Sequence, residues 1–163
     1  MTVDTAISPG AAPHERSQMV ALNADVVGYS RLIADDVEAV TATMEAYHAL
    51  VEHEVHDTAG RLLNFVGDNF MAVFDHATDA MRAAIAITTE IESRNAPRPE
   101  PSLVRFRMGL DQGTITHAGD DVFGDALNIS ARIQALAQPG GISVSARVYL
   151  SLIHISEPTR LLV

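Results

Sequence analysis

The sequence predicts an α+β fold of the ferredoxin-like, split βαβ kind, an antiparallel sheet with helices on one face. Three observations carry that expectation. Val20, Leu22 and Ala24, and again Val104, Phe106, Met108 and Leu110, recur at period two, as half-buried strands do. Ile33, Val37, Val40, Met44, Tyr47 and Val51, and later Ala80, Ala84, Ile87 and Ile91, recur at spacings of three and four, as amphipathic helices do. Along the chain these elements fall in the order strand, helix, strand, strand, helix, strand.

Each element has its own local signal. Residues 1–17 are rich in small, polar and Pro residues and are expected to be a flexible lead-in. The first strand runs from Gln18 to near Asp25, and Gly28 breaks it. A single helix follows with Ser30 as its N-cap, Asp35 and Asp36 on an exposed turn, and Gly60 closing the region. Leu62–Val66 and Phe70–Phe74 flank Gly67-Asp68-Asn69, which is turn chemistry, so a hairpin is expected. Asp79–Ile91 forms the second helix, and the Pro-rich stretch 96–101 forms a surface loop. After the strand ending at Leu110, a turn at Gln112-Gly113 should lead into Thr114–His117 as its hairpin partner. The acidic segment Gly119–Gly124 reads as a loop and Ala126–Leu136 as a helix stopped by Pro139-Gly140-Gly141, before a last strand at Ile142–Ser145. The domain is placed at 18–149. Leu150–Arg160, LSLIHISEPTR, lacks the preceding pattern and resembles the translation of a transposase adapter used in DNA library preparation. Residues 150–163 are therefore expected to be a non-native tail, the alternative being a genuine short helix and coil.

Composition bounds the function. At 163 residues and 47% apolar, the chain suits one domain with a packed core. The absence of cysteine removes disulfides, thiolate zinc sites and cysteine nucleophiles, and fits a reducing compartment. A net charge of -10 argues against a nucleic-acid partner, yet allows a small phosphorylated ligand whose charge metal ions neutralise. The start has neither a basic nor an apolar signal region, and no apolar run approaches membrane-spanning length. The expectation is a cytoplasmic protein with no membrane partner.

A few positions can carry chemistry. Asp25 sits where a strand passes through a Gly-containing turn into a helix, in Ala24-Asp25-Val26-Val27-Gly28-Tyr29-Ser30. N–H groups at such a turn suit phosphate oxygens, and a carboxylate beside them calls for a divalent cation between the two charges. The plainer reading is a turn-forming Asp. Asp68 at the hairpin tip is likewise an ordinary turn residue by itself. In a ferredoxin-like sheet, however, the first strand and the hairpin lie side by side, so the two carboxylates can converge on metal. Asn128 and Arg132, four apart on a helix, share one face, where Arg can clamp charge developing on phosphorus and Asn can fix a sugar oxygen. The plainer reading is a solvated stripe. His53 and His56, near Glu52 and Glu54, lack the spacing of a zinc protease helix and read as a solvated face. Arg105 and Arg107 read as the wet face of their strand.

Taken together, four segments resemble the class III nucleotide cyclases: Ala24–Ser30, Val66-Gly67-Asp68-Asn69-Phe70, Phe106-Arg107-Met108-Gly109-Leu110, and Val122–Arg132. The resemblance runs from about Met19 to Tyr149. It implies that Asp25 and Asp68, with the Val26 carbonyl, hold two Mg²⁺ or Mn²⁺ ions, and that the turn through Gly28, Tyr29 and Ser30 cradles the triphosphate of ATP. One ion would activate the ribose 3′-hydroxyl and the other would hold the leaving pyrophosphate. Asn128 would orient the ribose and Arg132 would stabilise the transition state. Each site would be shared across a head-to-tail homodimer, Asp25 and Asp68 of one chain facing Asn128 and Arg132 of the other.

Base choice rests on Asp121, which matches the family's acceptor for the adenine amino group, and on the position three before Gly67. The family's usual Lys is Asn64 here, a shorter and uncharged donor, so ATP stays favoured with either relaxed specificity or low activity expected. The family's phosphate-binding Lys lies on a late hairpin that the chain, on the tail reading, does not reach, and missing final strands would leave a sheet edge open. The expected activity is adenylate cyclisation. The alternatives are a guanylate cyclase and a non-catalytic nucleotide-binding or regulatory module.

Overall fold

A computed structural model of the protein describes residues 14–155. The strands are β1 (Glu15–Val26), β2 (Arg61–Val66), β3 (Asn69–Phe74), β4 (Phe106–Ala118), β5 (Asp121–Phe123) and β6 (Ile142–Val144). The helices are α1 (Tyr29–Asp35), α2 (Val37–Asp57), α3 (Ala77–Asn95), α4 (Asp125–Gln134) and α5 (Ala146–Ile155), with a short 3₁₀ turn at Glu100–Ser102. The sheet order is β2-β3-β1-β4-β5, and β6 joins the free side of β4 in parallel while the other pairs are antiparallel. The α+β, split βαβ expectation is met.

Period-two alternation on the central strand separates two cores. Val20, Leu22, Ala24 and Val26 of β1 face α1, α2 and α3, in a cluster that also takes Tyr47, Phe70, Phe74, Ile87, Phe106, Met108 and Leu110. The rings of Phe65, Phe70 and Phe106 follow one another at 5.5 Å, tying β2, β3 and β4 into that layer. Val148 of α5 belongs to the same cluster. Met19 and Ala21 point the other way, with Val73, Ile115, Ala126 and Leu127. Ala126 and Leu127 lie on α4, so α4 covers the opposite face of the sheet. The expectation that all helices share one face is corrected at this helix.

Other corrections have a common source. Gln112 and Gly113 do not turn: they pair with Val20 and Met19 inside β4, one strand that runs on to Ala118. The hairpin is made later, through Gly119 and Asp120, and Asp121–Phe123 of the expected acidic loop is the returning strand. A β4 of this length offers partners to all of β1, so Glu15 pairs with His117 and the strand begins inside the expected lead-in. Backbone pairing overrides the polar character of Glu15–Ser17. The rest of the lead-in, residues 1–13, lies outside the described residues.

The helix expected from Ser30 is two helices. Asp36 adopts an extended conformation, ends α1, and accepts the Ala39 N–H at 3.0 Å as the N-cap of α2. Ser30 lies inside α1 and is not its cap. The hairpin at Gly67-Asp68 forms as expected. Leu150–Ile155 of the expected tail continue α5, where Ser151 donates to Gln112 at 2.6 Å, and the remainder of the tail lies outside the described residues. Arg147 of α5 reaches Asp111 at 2.7 Å, and Asp111 is fully buried.

Candidate active site

The ends of β1 and β3 meet at one corner of the sheet. Asp25 is paired with Asn69 in the β1–β3 register, and the Val26 N–H donates to the Asp68 carbonyl at 3.0 Å. Asp25 and Asp68 are thus neighbours, as the topology requires, and Asn69 donates to the buried Asn23 at 3.2 Å just behind them. Beyond Val26 the chain is pinned once more, by Val27 N–H to the Arg105 carbonyl at 2.9 Å, before it turns at Gly28. Gly28 has φ 67°, a conformation that only glycine adopts without strain, and its carbonyl accepts from Arg31 and Leu32 to start α1. The N–H groups of Tyr29 and Ser30 precede any helical acceptor, as first-turn groups do.

Asp25 is held closely. Arg107, directly opposite it on β4, donates Nε to Oδ1 at 3.2 Å and Nη2 to Oδ2 at 3.1 Å, a bidentate pair. Gln134, from the last turn of α4, donates Nε2 to the same Oδ1 at 2.7 Å. Side-chain exposures of 26% for Asp25 and 31% for Arg107 leave the pair partly open to solvent. Arg107 is therefore more than the wet face of a strand; that role holds for Arg105, which pairs with Glu92 and Glu100 at the surface.

Asn128 and Arg132 are on the far side of the same helix. α4 buries Ala126, Leu127, Ser130 and Gln134 against the sheet, which turns Asn128 and Arg132 outward into solvent. Neither makes a side-chain hydrogen bond or ion pair among the described residues. Within one chain they are not brought to Asp25 and Asp68. Asn64 and Asp121 are both exposed, one on β2 and one on β5, and their neighbours Leu63 and Val122 pack against the same apolar cluster. His53 pairs with Asp57 at 3.1 Å on the exposed surface of α2, as a solvated face would.

Sequence reasoning missed Arg107 and Gln134 as partners of Asp25. Arg107 becomes visible once the register of β1 and β4 is known, because it stands opposite Asp25. Gln134 carried a signal of its own, as a polar residue on the buried stripe of an otherwise amphipathic helix.

Comparison with known proteins gives this geometry a context. The family described as Adenylate and Guanylate cyclase catalytic domain matches residues 12–160. A relative named putative adenylate cyclase 3, from Rhizobium meliloti (strain 1021), is 35% identical over 129 residues, which is 78% of this chain and 22% of the relative. An adenylate cyclase from Streptomyces griseus is 27% identical over 135 residues, 82% of this chain and 32% of the relative. The chain thus spans a third or less of these relatives' length. The crystal structure of an adenylate/guanylate cyclase/hydrolase from Silicibacter pomeroyi superposes with a TM-score of 0.80 at 32% identity, covering 90% of this chain and 86% of that one.

Proposed function

Because the chain belongs to the family of adenylate and guanylate cyclase catalytic domains, we propose that it cyclises ATP to 3′,5′-cyclic AMP and pyrophosphate as a cytoplasmic head-to-tail homodimer. The observation that carries this reading is the corner where the Val26–Asp68 backbone bond holds Asp25 and Asp68 on adjoining strand ends next to the Gly28 turn.

The donors at that corner fit magnesium or manganese. Asp25, Asp68 and the Val26 carbonyl are hard oxygen ligands, and Mg²⁺ takes one or two carboxylates when phosphates complete its shell. Among the described residues no group of three or more His, Cys, Asp or Glu could hold a metal ion, so the reading rests on these three oxygen ligands alone. Two such ions, when bound, would supply charge neutralisation for the triphosphate and a lowered pKa for the ribose 3′-hydroxyl.

The chain's own residues bind and orient. N–H groups at Tyr29 and Ser30 take phosphate oxygens. Asn128 of the partner chain fixes the ribose so that its 3′-oxygen lies in line with the α-phosphorus. Arg132 of the partner chain meets the charge that develops as the new P–O bond forms and the bond to pyrophosphate breaks. The outward direction of Asn128 and Arg132 supports a second chain as the source of these groups. Asp121 accepts from the adenine amino group, which guanine lacks at that position, and favours ATP. Asn64 in place of Lys favours a relaxed choice, so weaker GTP cyclisation is the second reading.

The test is direct. Purified protein with Mn²⁺ is given ATP or GTP and the cyclic product is measured. Cyclic AMP in excess of cyclic GMP is expected. A folded, dimeric protein that forms neither overturns the enzyme reading, and equal turnover of both nucleotides overturns the ATP preference.

A further inference from the structure

We infer that Gln134 is a positioning residue for Asp25, whose side-chain amide occupies the carboxylate lone pair that a second divalent ion requires. This rests on the metal role proposed for Asp25. An ionised carboxylate offers about four lone-pair sites, two on each oxygen. Oδ1 accepts from Arg107 Nε and from Gln134 Nε2, so both of its sites are taken. Oδ2 accepts only from Arg107 Nη2 and keeps one. One ion can therefore bind at Oδ2 with every hydrogen bond intact. A second ion on the same carboxylate needs Oδ1, and one donor must leave. Arg107 is charged and held at two points, whereas Gln134 is neutral and held at one, so Gln134 is the donor that gives way.

The position of Gln134 is built into the fold. A Cβ on Gly109 would overlap the backbone N of Gln134 and the carbonyl of Ser130, so only glycine at this place on β4 lets the end of α4 lie against the strand. Gly109 pairs with Asn23, two residues from Asp25 on β1. Gln134 is 5% exposed and is thus aimed at the carboxylate by packing rather than by chance contact with solvent-borne conformers. Its helix also presents Asn128 and Arg132 on the outer face. In the proposed dimer those residues serve the other site, so the hydrogen bond joins the carboxylate of one site to the helix that completes the next.

The experiment counts manganese. Binding of Mn²⁺ to the full chain with 3′-deoxy-ATP, which lacks the attacking hydroxyl, is followed by the loss of the free-ion paramagnetic resonance signal. The parent should show a tighter and a weaker step. In Gln134→Met the weaker step should tighten about tenfold, the scale of a hydrogen bond to a charged group, while the tighter step stays in place. Structural damage would weaken both steps, so tightening is the signature. A folded Gln134→Met protein whose weaker step is unchanged or weakened, while Asp25→Asn has lost manganese binding, overturns the inference alone. An Asp25→Asn protein that binds as the parent does overturns the metal assignment and the inference together. A measurement on the parent guards against misfolding of the variant: the Gln134 side-chain amide resonance should move on the second equivalent of Mg²⁺ and not on the first, and a resonance that never moves overturns the inference.

Discussion

Among the described residues, one face of the sheet is covered by α1, α2, α3 and α5, and the other by α4 alone. On the first face β1 presents Val20, Leu22, Ala24 and Val26 to a broad apolar layer. On the second it presents Met19 and Ala21, then Asn23 and Asp25, so the apolar stripe turns polar along the same strand. Of the buried polar side chains, Asn23, Ser130 and Gln134 belong to this second face, whereas Asn95 is buried on α3, where it donates to the Val104 carbonyl. Each large side chain buried on the first face contributes about 1.5–3 kcal/mol, and that face has many more of them. The first face therefore carries most of the stability. The second can spend its far end on hydrogen-bonded carboxylate chemistry because so little of the core depends on it.

The largest effects should come from the α4 face and should appear in activity, not in folding. Arg132→Ala is expected to lower kcat by about 10²–10³, the scale for removing a group that meets transition-state charge. Because Arg132 is exposed and unpaired among the described residues, its thermal unfolding should move by no more than about 0.5 kcal/mol. Asp25→Ala should be at least as inactive. Mixing the two inactive proteins should restore about a quarter of the parent activity, since half of the randomly paired dimers carry one intact site of two. A mixture that stays inactive while mixed dimers form would break the assignment of the two halves to different chains.

A mutation between the two faces should affect both properties. Gly109→Ala forces α4 away from β4, and overpacking of this kind costs about 1–3 kcal/mol. For a chain of this size that lowers Tm by about 2–4 °C per kcal/mol, measurable by calorimetry. Activity should fall as well, because the same helix carries Asn128 and Arg132 on its outer face. A variant that loses stability but keeps full activity would show that the seat of α4 matters only for packing. At the edge of the same face, Asn64→Lys should raise the preference for ATP over GTP about tenfold, read from the ratio of kcat/KM values, by supplying a charged donor.

The fold was legible where one signal sufficed. The Gly67-Asp68 hairpin, the β1 alternation and the faces of α2 and α3 follow from local pattern, and with them the meeting of Asp25 and Asp68. What failed had two local explanations of equal weight. Gly113 reads as a turn residue, yet its neighbour Gln112 pairs with Val20 and the strand runs straight through, because β1 is long enough to hold it. Asp36 reads as a surface turn and is also a helix cap, a role that depends on its extended backbone. Within the site, Asp25, Asp68, Asn128 and Arg132 were visible as motif positions. Arg107 and Gln134 were not, because their partner lies 82 and 109 residues away in sequence and only the register of β4 and the seat of α4 bring them to it.

The smallest expected effect belongs to the other face. Tyr47 is 1% exposed, and its hydroxyl has no hydrogen-bond partner among the described residues. Burial pushes its pKa above 10.0, with Arg98 and Arg94 pulling weakly the other way. Below about pH 10 both folded and unfolded chains keep the phenolic proton, so the shift has no consequence there. As the pH rises past that point only the unfolded chain ionises, and stability falls. Tyr47→Phe removes both the orphaned hydroxyl and the titration, and leaves the ring between Phe106 and Arg94. It should stabilise the protein by about 1 kcal/mol at neutral pH and flatten the alkaline decline, with kcat and KM unchanged. Urea unfolding at neutral pH and above pH 10 reads both effects. A Phe variant that is less stable at neutral pH would mean that the hydroxyl has a partner in solution. A Phe variant with altered kcat would mean that the two faces are not as separate as their side chains suggest.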